Sequence, residues 1–373
     1  IINKLTKALP TLFILFGIGL IIGSWIVCGT IPMLVYYGIK IINTDYIYLL
    51  AFFVPIVFST VTGTSWGSIG TIGVVIMGIA LTVNAHPGIT AGAIIGGAYF
   101  GDKMSPLSDT TNIAALAVDV KLYDHIRSMT YTTFPSAIIA AIVFFVLGFI
   151  YPADNYKGTT EQVEMTLNSI STLFSFSPFL LVPPIIILYG SIRKKATIPV
   201  LLTSTLVAIG ITFIFQNFNF IDVVQTVYKG FNTDMAYWAT QTPDNIKELF
   251  NRGGLYELSE PIIISILVFV YIGSIDKIDA MTMIVHRVFR FAKKKSTVIL
   301  SSLISAGITN AMTSNQYATS FVVGDAFMKK YDSLKIPRKV LSRSLEDYGT
   351  MIEALVPWTT TSVFVVATLG VSY

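Results

Sequence analysis

Runs of apolar residues recur along almost the entire chain, and polar or glycine-rich stretches interrupt many of them. A helix of about 20 apolar residues is long enough to cross the ~30 Å hydrocarbon core of a membrane. Residues 132–151, 197–215 and 261–274 are uninterrupted runs that predict membrane-spanning helices, and the shorter run 178–190 predicts another. The remaining runs are broken, which predicts helices that are discontinuous at membrane depth.

Composition indicates a membrane protein with a single domain. The chain has 373 residues, of which 53% are hydrophobic and only 12% are charged, whereas soluble domains carry about 25% charged residues. No break in composition separates a soluble module, so we expect one transmembrane domain over residues 1–373. The chain begins with Ile1 rather than Met, and we expect its natural ends to be missing.

The net charge of +4 is small, and no basic run is interleaved with aromatic residues, which argues against nucleic acid as a partner. The single cysteine, Cys28, lies in an apolar run, so no intrachain disulfide can form. We expect no cofactor. The lipid bilayer is the predicted partner, and the sequence leaves the oligomeric state open, with a homodimer as one option.

Lysine and arginine concentrate in three connecting segments, a pattern typical of cytoplasmic loops. These segments are residues 191–196, 277–295 and 329–343. Acidic residues outnumber basic ones in residues 151–177 and 217–257, which we therefore expect to be external. With these assignments, the predicted spans alternate strictly across the membrane.

The alternation constrains two of the broken runs. Residues 296–328 lie between two predicted cytoplasmic loops, so they must enter and leave by the same face as a hairpin. Residues 46–83, which are interrupted near residues 63–67, start and end outside, so they form a second hairpin from the opposite face.

Each predicted hairpin is followed by a broken segment that crosses the membrane, residues 88–118 in the first half and 344–371 in the second. A hairpin and a broken helix that occur twice in opposite orientation are typical of inverted-repeat transporters. The predicted fold is therefore an all-α, polytopic helical bundle with re-entrant hairpins, discontinuous transmembrane helices and inverted-topology repeats over residues 11–151 and 197–373.

The breaks are rich in groups that can bind a cation. Residues 62–71 and 101–112 combine glycine with hydroxyl side chains, and residues 309–316 and 345–361 add amides and carboxylates. Glycine and proline allow a helix to unwind, which exposes backbone carbonyls. Because non-helical backbone persists at membrane depth only where it lines a cavity or is buried in protein, we expect an ion site at these breaks.

Carboxylates inside a membrane are costly and by default indicate function. Asp102 and Asp109 fall in the first half of the chain, and Glu346, Asp347 and Glu353 fall in the second. Burial favours a protonated carboxyl group and a bound cation favours the ionised form, so one carboxylate can hold either a proton or Na⁺. This competition is the simplest mechanism of antiport.

Structural roles are the competing interpretations of these residues. Asp102 precedes a lysine and equally fits an ion pair with it, and Asp109 fits a cap of the next helix. One of Glu346 and Asp347 is expected to pair with Arg343, with Glu346 as the expected partner. The aromatic residues of the spans are expected to provide packing and interface anchors.

Three segments carry a family resemblance: GTSWGSIGT at residues 63–71, GDKMSPLSDTTN at residues 101–112, and LSRSLEDYGT followed by VPW within residues 341–358. These segments resemble the NhaC family of Na⁺/H⁺ antiporters. The resemblance covers most of the chain in order, and its second motif is highly specific. It implies a bacterial or archaeal inner-membrane protein with inverted repeats, in which carboxylates of both halves meet at a central site.

The chain departs from the family pattern at three positions of its second half. Asn315 stands where an acidic residue is frequent, Glu353 stands where a small residue is common, and Thr359 replaces a common asparagine. An acid has thus changed position within the site, which affects the second-half ligands and the coupling ratio.

The predicted function is exchange of Na⁺ for H⁺ through this central site, with Na⁺ near Asp109, Thr110 and Asp347. The predicted ligands are carboxylates and oxygen donors from the breaks: Asp102, Asp109, Asp347, Glu353, Thr64, Ser65, Ser108, Thr110, Asn112, Asn310, Asn315 and Thr359.

Exchange of a small organic anion or amino acid is the alternative, because a branch of the family resembles malate/lactate exchangers. A carboxylate substrate requires a cation or converging helix N-termini. Lys103 lies inside a broken segment and Arg343 at the margin of another, so these are the candidate charge partners. A third hypothesis, an intramembrane aspartyl protease, is disfavoured by the many ion ligands, so we expect a transporter rather than an enzyme.

Overall fold

The computed structural model describes residues 2–41, 43–153, 160–193, 195–239, 242–257, 259, 262–263, 266–267, 270 and 294–373. The regular secondary structure of these described residues consists of helices, and none of them forms a β-strand. Most of the predicted span 261–274 and of the predicted loop 277–295 lies outside the described residues.

We number the helices in chain order. They are α1 (Ile2–Val27), α2 (Thr30–Ile41), α3 (Ile47–Thr62), α4 (Ser65–Thr82), α5 (Pro87–Met104), α6 (Asp109–Leu116), α7 (Leu122–Ile150), α8 (Thr160–Leu173), α9 (Val182–Ile192), α10 (Thr197–Phe215), α11 (Phe220–Lys229), α12 (Asp244–Phe250), α13 (Lys295–Thr313), α14 (Gln316–Ser333), α15 (Arg338–Ser344) and α16 (Thr360–Leu369).

Five helical segments of the described chain are long and apolar enough to cross a membrane: Thr44–Thr62, Ser65–Thr82, Leu122–Ile150, Thr197–Phe215 and Lys295–Thr313. Three pairs of helices meet the same criterion only when taken together. The bend is 69° between α1 and α2, 92° between α8 and α9, and 52° before α16, which allows up to eight spans. The predicted all-α, polytopic membrane fold is confirmed.

Helices α13 and α14 form a hairpin. The Oγ of Ser302, near the start of α13, lies 2.7 Å from the hydroxyl oxygen of Tyr331, near the end of α14, so the two helices run antiparallel. At the turn, Ser314 has a left-handed φ of 45°, and Asn315 caps α14 by accepting a hydrogen bond from the Ala318 N–H.

Helices α3 and α4 form a second hairpin with the same kind of turn. Gly63 has a left-handed φ of 68°, and Thr64 caps α4 by accepting a hydrogen bond from the Gly67 N–H. The hydroxyl of Tyr48, near the start of α3, accepts a hydrogen bond of 2.8 Å from the N–H of His86, which follows α4. Helix α4 therefore returns to the end of the molecule from which α3 starts.

The two hairpins open towards opposite ends of α7. Tyr48 also donates a hydrogen bond to the carbonyl of Tyr151, immediately after α7. At the other end, Arg338 bridges Asp332 of α14 and Asp119, which precedes α7. Helix α7 has 29 residues, or about 43 Å at 1.5 Å per residue. The hairpins therefore point in opposite directions, whereas the repeat boundaries 11–151 and 197–373 stay a prediction.

A broken segment follows each hairpin. After α5 the chain is non-helical until Ser108, which caps α6 by accepting a hydrogen bond from the Thr111 N–H. After α15 the chain continues as a π-helical segment, Leu345–Thr350, followed by a 3-10 turn, Glu353–Leu355, before Thr359 caps α16. Both breaks fall inside the predicted discontinuous segments.

A candidate ion site at the helix breaks

A cavity of about 980 Å³ lies where the four breaks meet. Most of its polar lining comes from within residues 62–67, 102–112, 313–318 and 350–361, and Thr71 and Tyr99 add to it. An apolar wall is formed by side chains such as Ile18 of α1 and Leu201 of α10, and the cavity extends to Ser191, Lys195 and Thr197 between α9 and α10. The breaks of both halves of the chain therefore contribute to one chamber.

The charge of the lining is predominantly negative. Asp102, Asp109 and Glu353 line the cavity, and Lys195 is the one basic residue among its lining residues in the described chain. A cleft lined by charges of one sign concentrates counter-ions. Each break also presents the carbonyls of one helix end together with the N–H groups of the next, so the helix dipoles oppose one another there. The carboxylates therefore dominate, and the cavity favours a cation.

Asp109 is the most accessible of the three acids. It is the first residue of α6 and is exposed to the cavity. Its Oδ1 accepts a hydrogen bond of 2.9 Å from the Thr110 N–H, and its Oδ2 accepts one from the Tyr317 hydroxyl. Ser108, and not Asp109, is the N-cap of α6. The alternative that Asp109 caps this helix is therefore wrong.

Asp102 lies deeper, in the last turn of α5, and is buried. The side chains of Ser65 and Ser108 and the backbone N–H of Ser65 interact with its carboxylate. Its Oδ1 has no hydrogen-bond partner among the described residues. The competing interpretation, an ion pair with Lys103, is wrong, because Lys103 binds another acid.

Lys103 and Asp347 form a largely buried ion pair that joins α5 to the π-helical segment Leu345–Thr350. The Nε of Arg343 lies 4.0 Å from the other Asp347 oxygen. Arg343 therefore neighbours Asp347, and the expectation that Glu346 would be its partner is wrong. Glu346 instead accepts a hydrogen bond of 3.1 Å from the Thr110 hydroxyl.

Glu353 projects from its 3-10 turn into the cavity and interacts with the side chains of Thr361 and Asn310. The indole N–H of Trp66 donates a hydrogen bond of 3.2 Å to Thr361. Asn315, where the resemblance implied an acid, lines the same cavity as Glu353.

Several predicted ligands serve mainly to cap helices. Thr64, Ser108, Asn315 and Thr359 are the N-caps of α4, α6, α14 and α16, so their side-chain oxygens accept backbone N–H groups. The Asn112 side chain donates a hydrogen bond of 3.1 Å to the carbonyl of Pro106, so it stabilises the non-helical segment between α5 and α6.

The predicted residues divide into two groups. Those that line the cavity are Thr64, Ser65, Asp102, Asp109, Thr110, Asn112, Asn315 and Glu353. Those outside its lining are Ser108, Asn310, Asp347 and Thr359.

Two aromatic residues belong to the site, although aromatics were expected to provide only packing. Trp66 and Tyr317 each stand two residues after an N-cap, Thr64 and Asn315 respectively. Trp66 of the first half reaches the second half, and Tyr317 of the second half reaches Asp109 of the first. The sequence did contain a signal for these two site residues: each is an aromatic residue with a hydrogen-bond donor, and each lies just after a helix break.

The sequence model of the Na⁺/H⁺ antiporter family matches residues 97–373. An uncharacterised Na⁺/H⁺ antiporter of Haemophilus influenzae is 39% identical over 99% of this chain and 79% of its own length. The Na⁺/H⁺ antiporter NhaC of Alkalihalophilus pseudofirmus is 33% identical over 99% and 78% of the two chains. The malate-2H⁺/Na⁺-lactate antiporter of Bacillus subtilis is 31% identical over 100% and 78%.

No solved structure gives a significant match to the chain. The family match covers more than half of the sequence, and the named relatives align over nearly all of it. These relatives are transporters, which agrees with the shared cavity at the breaks. The chain therefore belongs to the NhaC family of Na⁺/H⁺ antiporters.

Proposed function

We propose that this chain exchanges Na⁺ for H⁺ across the membrane. The observation that carries the proposal is the charge of the cavity, into which three carboxylates project while Lys195 lies at one end. A chamber of this sign attracts cations and repels anions. Its carboxylates can be discharged by either a proton or a metal cation, so both ions compete for one site.

Asp109 is proposed as the principal cation ligand, because it is exposed to the cavity. Asp102 and Glu353 contribute further carboxylate oxygens, and Ser65 and Thr361 lie beside them with hydroxyl oxygens. Oxygen atoms from carboxylates, hydroxyls and unwound backbone can replace the hydration shell of a small cation.

Two residues of the predicted Na⁺ site are otherwise engaged. The Asp347 carboxylate binds Lys103, and the Thr110 hydroxyl donates to Glu346. We therefore propose that Asp347 acts as a structural partner of Lys103 and leaves cation binding to the three acids of the cavity.

The proposed direction of access follows from charge. The cavity reaches Ser191 and Lys195, next to the basic loop 191–196 that the sequence predicts to be cytoplasmic. A cytoplasmic opening fits a bacterial or archaeal inner-membrane antiporter that takes up intracellular Na⁺ in this conformation.

Exchange of a small organic anion is the second candidate. It is favoured by the four helix N-termini, of α4, α6, α14 and α16, that lie at the breaks, since helix N-termini bind carboxylates. The Bacillus subtilis relative is named as an antiporter of malate and lactate, which are small organic anions. Protonation of the cavity carboxylates would remove the charge that opposes such a substrate.

A substrate panel distinguishes the two candidates. The purified chain is reconstituted into vesicles with an acidic interior, and a pH-sensitive dye reports proton efflux after addition of Na⁺, Li⁺ or K⁺, or of the choline salts of malate, lactate or amino acids. We expect Na⁺ to dissipate the gradient and choline malate or lactate to have no effect. Efflux driven by the organic salts and not by Na⁺ would contradict cation antiport, and protein-free vesicles give the background.

A further inference from the structure

A short segment of the connection 217–257, which the sequence predicts to be external, contacts three helices of the ion site. This segment, residues 249–254, comprises the end of α12 and the residues that follow it, and we call it the strap. It contacts α1, α4 and α16, and each of these helices contributes residues to the lining of the cavity. The strap is not among the residues that line the cavity in the described chain, so it binds these helices beyond the cavity.

The strap lies on the side of the cavity that is opposite Lys195. Helices α1 and α10 run in the same direction, because a Cβ on Gly17 would lie 2.8 Å from Leu201 near the start of α10. Beyond the ends of both helices, the side chain of Gln216 donates a hydrogen bond of 2.9 Å to the Cys28 carbonyl. Helix α10 starts next to Lys195, and the strap contacts α1 between Gly17 and Cys28. It therefore lies away from Lys195.

The contact between the strap and α1 is made by backbone atoms. The N–H of Gly254 donates a hydrogen bond of 2.8 Å to the carbonyl of Gly19. Gly253 has a left-handed φ of 87°, and a Cβ there would lie 2.3 Å from the backbone nitrogen of Gly23. Only glycine permits so close an approach of two backbones. Because no flexible side chain takes part in this contact, α1 is the anchor of the strap.

The contacts with α16 and α4 are made by side chains. The Nη2 of Arg252 donates a hydrogen bond of 3.2 Å to the carbonyl of Thr368, in the last turn of α16. Carbonyls in the last turn of a helix lack a partner within the helix and can accept from water instead. The tip of Leu249 reaches α4, where it would lie 2.9 Å from a Cβ on Gly78. Both side chains can change rotamer, so these contacts can separate while the strap stays on α1.

Helices α4 and α16 are bound to each other. The ring of Trp66 stacks on that of Phe364 with centroids 4.7 Å apart, and its N–H donates a hydrogen bond of 3.2 Å to Thr361. These two helices can therefore leave the strap together. A transporter exposes its site to the two faces of the membrane in turn. In this structure the cavity reaches Lys195, and the contacts of the strap lie at the other end.

We propose that the strap is the gate at this end of the cavity. It stays on α1, and Arg252 and Leu249 release α16 and α4 when the cavity opens to the face on which the strap lies. The gate controls access and not the choice of ion. It rests on the proposed function only in that the transported ion must pass this end of the cavity.

The gate is tested first by access to the cavity. Thr71→Cys places a thiol in the cavity lining on α4, and the native Cys28 is buried. A positively charged, membrane-impermeant methanethiosulfonate is applied to whole cells and to inverted vesicles. Lys229→Cys, at the exposed end of α11, identifies the face on which the strap lies.

The test variant is Arg252→Met, which keeps the length of the side chain and removes its hydrogen bond to α16. We expect it to raise the rate at which Thr71→Cys is labelled from the strap face by at least about tenfold, the effect of losing one hydrogen bond from a charged donor. Lys247→Met, at an exposed base of α12 paired with Asp244, is the control and should change the rate by less than about twofold. An unchanged rate in Arg252→Met would overturn the gate.

The second test locks the strap onto α4 and keeps Arg252. In the double variant with Leu249→Cys and Gly78→Cys, the shorter side chain at position 249 leaves room for a thiol at position 78, because the approach of 2.9 Å is made by the tip of Leu249. Copper phenanthroline with oxygen joins the two thiols as a disulfide, and dithiothreitol reduces it again. Leu249→Cys alone, treated in the same way, is the control.

We expect dye-monitored antiport by the double variant to fall to background after oxidation and to return after reduction, because α4 cannot leave the strap. Full antiport with the disulfide in place, confirmed by the loss of free thiols, would overturn the gate, also where Arg252→Met does not fold. Labelling requires no exchange of ions. Absence of Na⁺/H⁺ exchange in the wild-type chain would therefore contradict the proposed function, and the labelling result would still decide the gate.

Discussion

Asp102 and Asp109 belong to one short motif, yet their surroundings differ. The chain breaks between them, so Asp102 ends one helix and Asp109 begins the next. Asp109 is exposed to the cavity and held at both oxygens, whereas Asp102 is buried with an unmatched oxygen. This difference supports the proposal that Asp109 meets an arriving cation first and that Asp102 is a deeper ligand of the same site.

Tyr317 should set the cation affinity of Asp109. Its hydroxyl donates to Asp109 Oδ2, and a hydrogen bond to a charged group contributes about 1.5–3 kcal/mol. Tyr317→Phe frees the carboxylate to rotate, so we expect the KM for Na⁺ to rise about tenfold with a smaller change in maximal rate. Dye-monitored antiport over a range of Na⁺ concentrations measures both values. Tyr37→Phe on α2, where the ring packs against Tyr36 and Phe176, is the control, and an unchanged KM in Tyr317→Phe would contradict this role.

At the scale of elements, short local signals were sufficient to predict the breaks. Hydroxyl residues mark all four positions, and glycine or proline accompanies them at three, because these residues permit left-handed or extended backbone or cap the following helix. The use of each side chain was less predictable. Thr64 and Asn315 were predicted as ligands, but the helices they precede take up their side-chain oxygens.

Gly63 allows two breaks to come together. It has a φ of 68°, and a Cβ there would lie 2.6–2.9 Å from atoms of Leu107 and Ser108. Gly63→Ala should therefore destabilise the fold by about 1–3 kcal/mol and reduce antiport, because the cavity lining must shift. Gly92→Ala is the matched control, since a Cβ on Gly92 meets nothing within 4 Å. Denaturant unfolding in detergent measures the stability of both variants. Equal stability of Gly63→Ala and Gly92→Ala would contradict the close approach inferred at Gly63.

The Lys103–Asp347 pair joins two elements that are far apart in sequence. Removal of one partner from a buried ion pair typically costs about 3–5 kcal/mol, so Lys103→Met should lower the free energy of unfolding by that amount. Lys103→Met combined with Asp347→Leu should recover most of the loss. A double variant no more stable than Lys103→Met would show that Asp347 has a role beyond binding this lysine.

At the scale of the whole molecule, charge placement predicted the opposed hairpins. Basic loops are expected on the cytoplasmic side of the membrane and acidic connections on the other side, so their order along the chain predicts the topology. Contacts between distant segments could not be predicted in this way. Tyr317 and Asp109 are 208 positions apart, and Lys103 and Asp347 are 244 apart, and no local pattern specifies which side chains meet across the cavity.

The predicted topology can be tested by labelling, because the single native cysteine, Cys28, is buried. Lys195→Cys lies at the end of the cavity near the predicted cytoplasmic loop, and Lys229→Cys lies in the predicted external connection. A membrane-impermeant maleimide should label Lys229→Cys in whole cells and Lys195→Cys only in inverted vesicles. The reverse pattern would place the cavity opening on the external face.

The central claim is that one chamber of carboxylates couples Na⁺ to H⁺, and Asp109→Asn tests it most directly. The substitution keeps the size of the side chain and removes the accessible charge. Na⁺-driven proton flux in reconstituted vesicles should fall to background in Asp109→Asn, whereas Asp119→Asn, which changes an exposed aspartate paired with Arg338, should remain near the wild-type rate. Near-normal flux in Asp109→Asn would contradict the account.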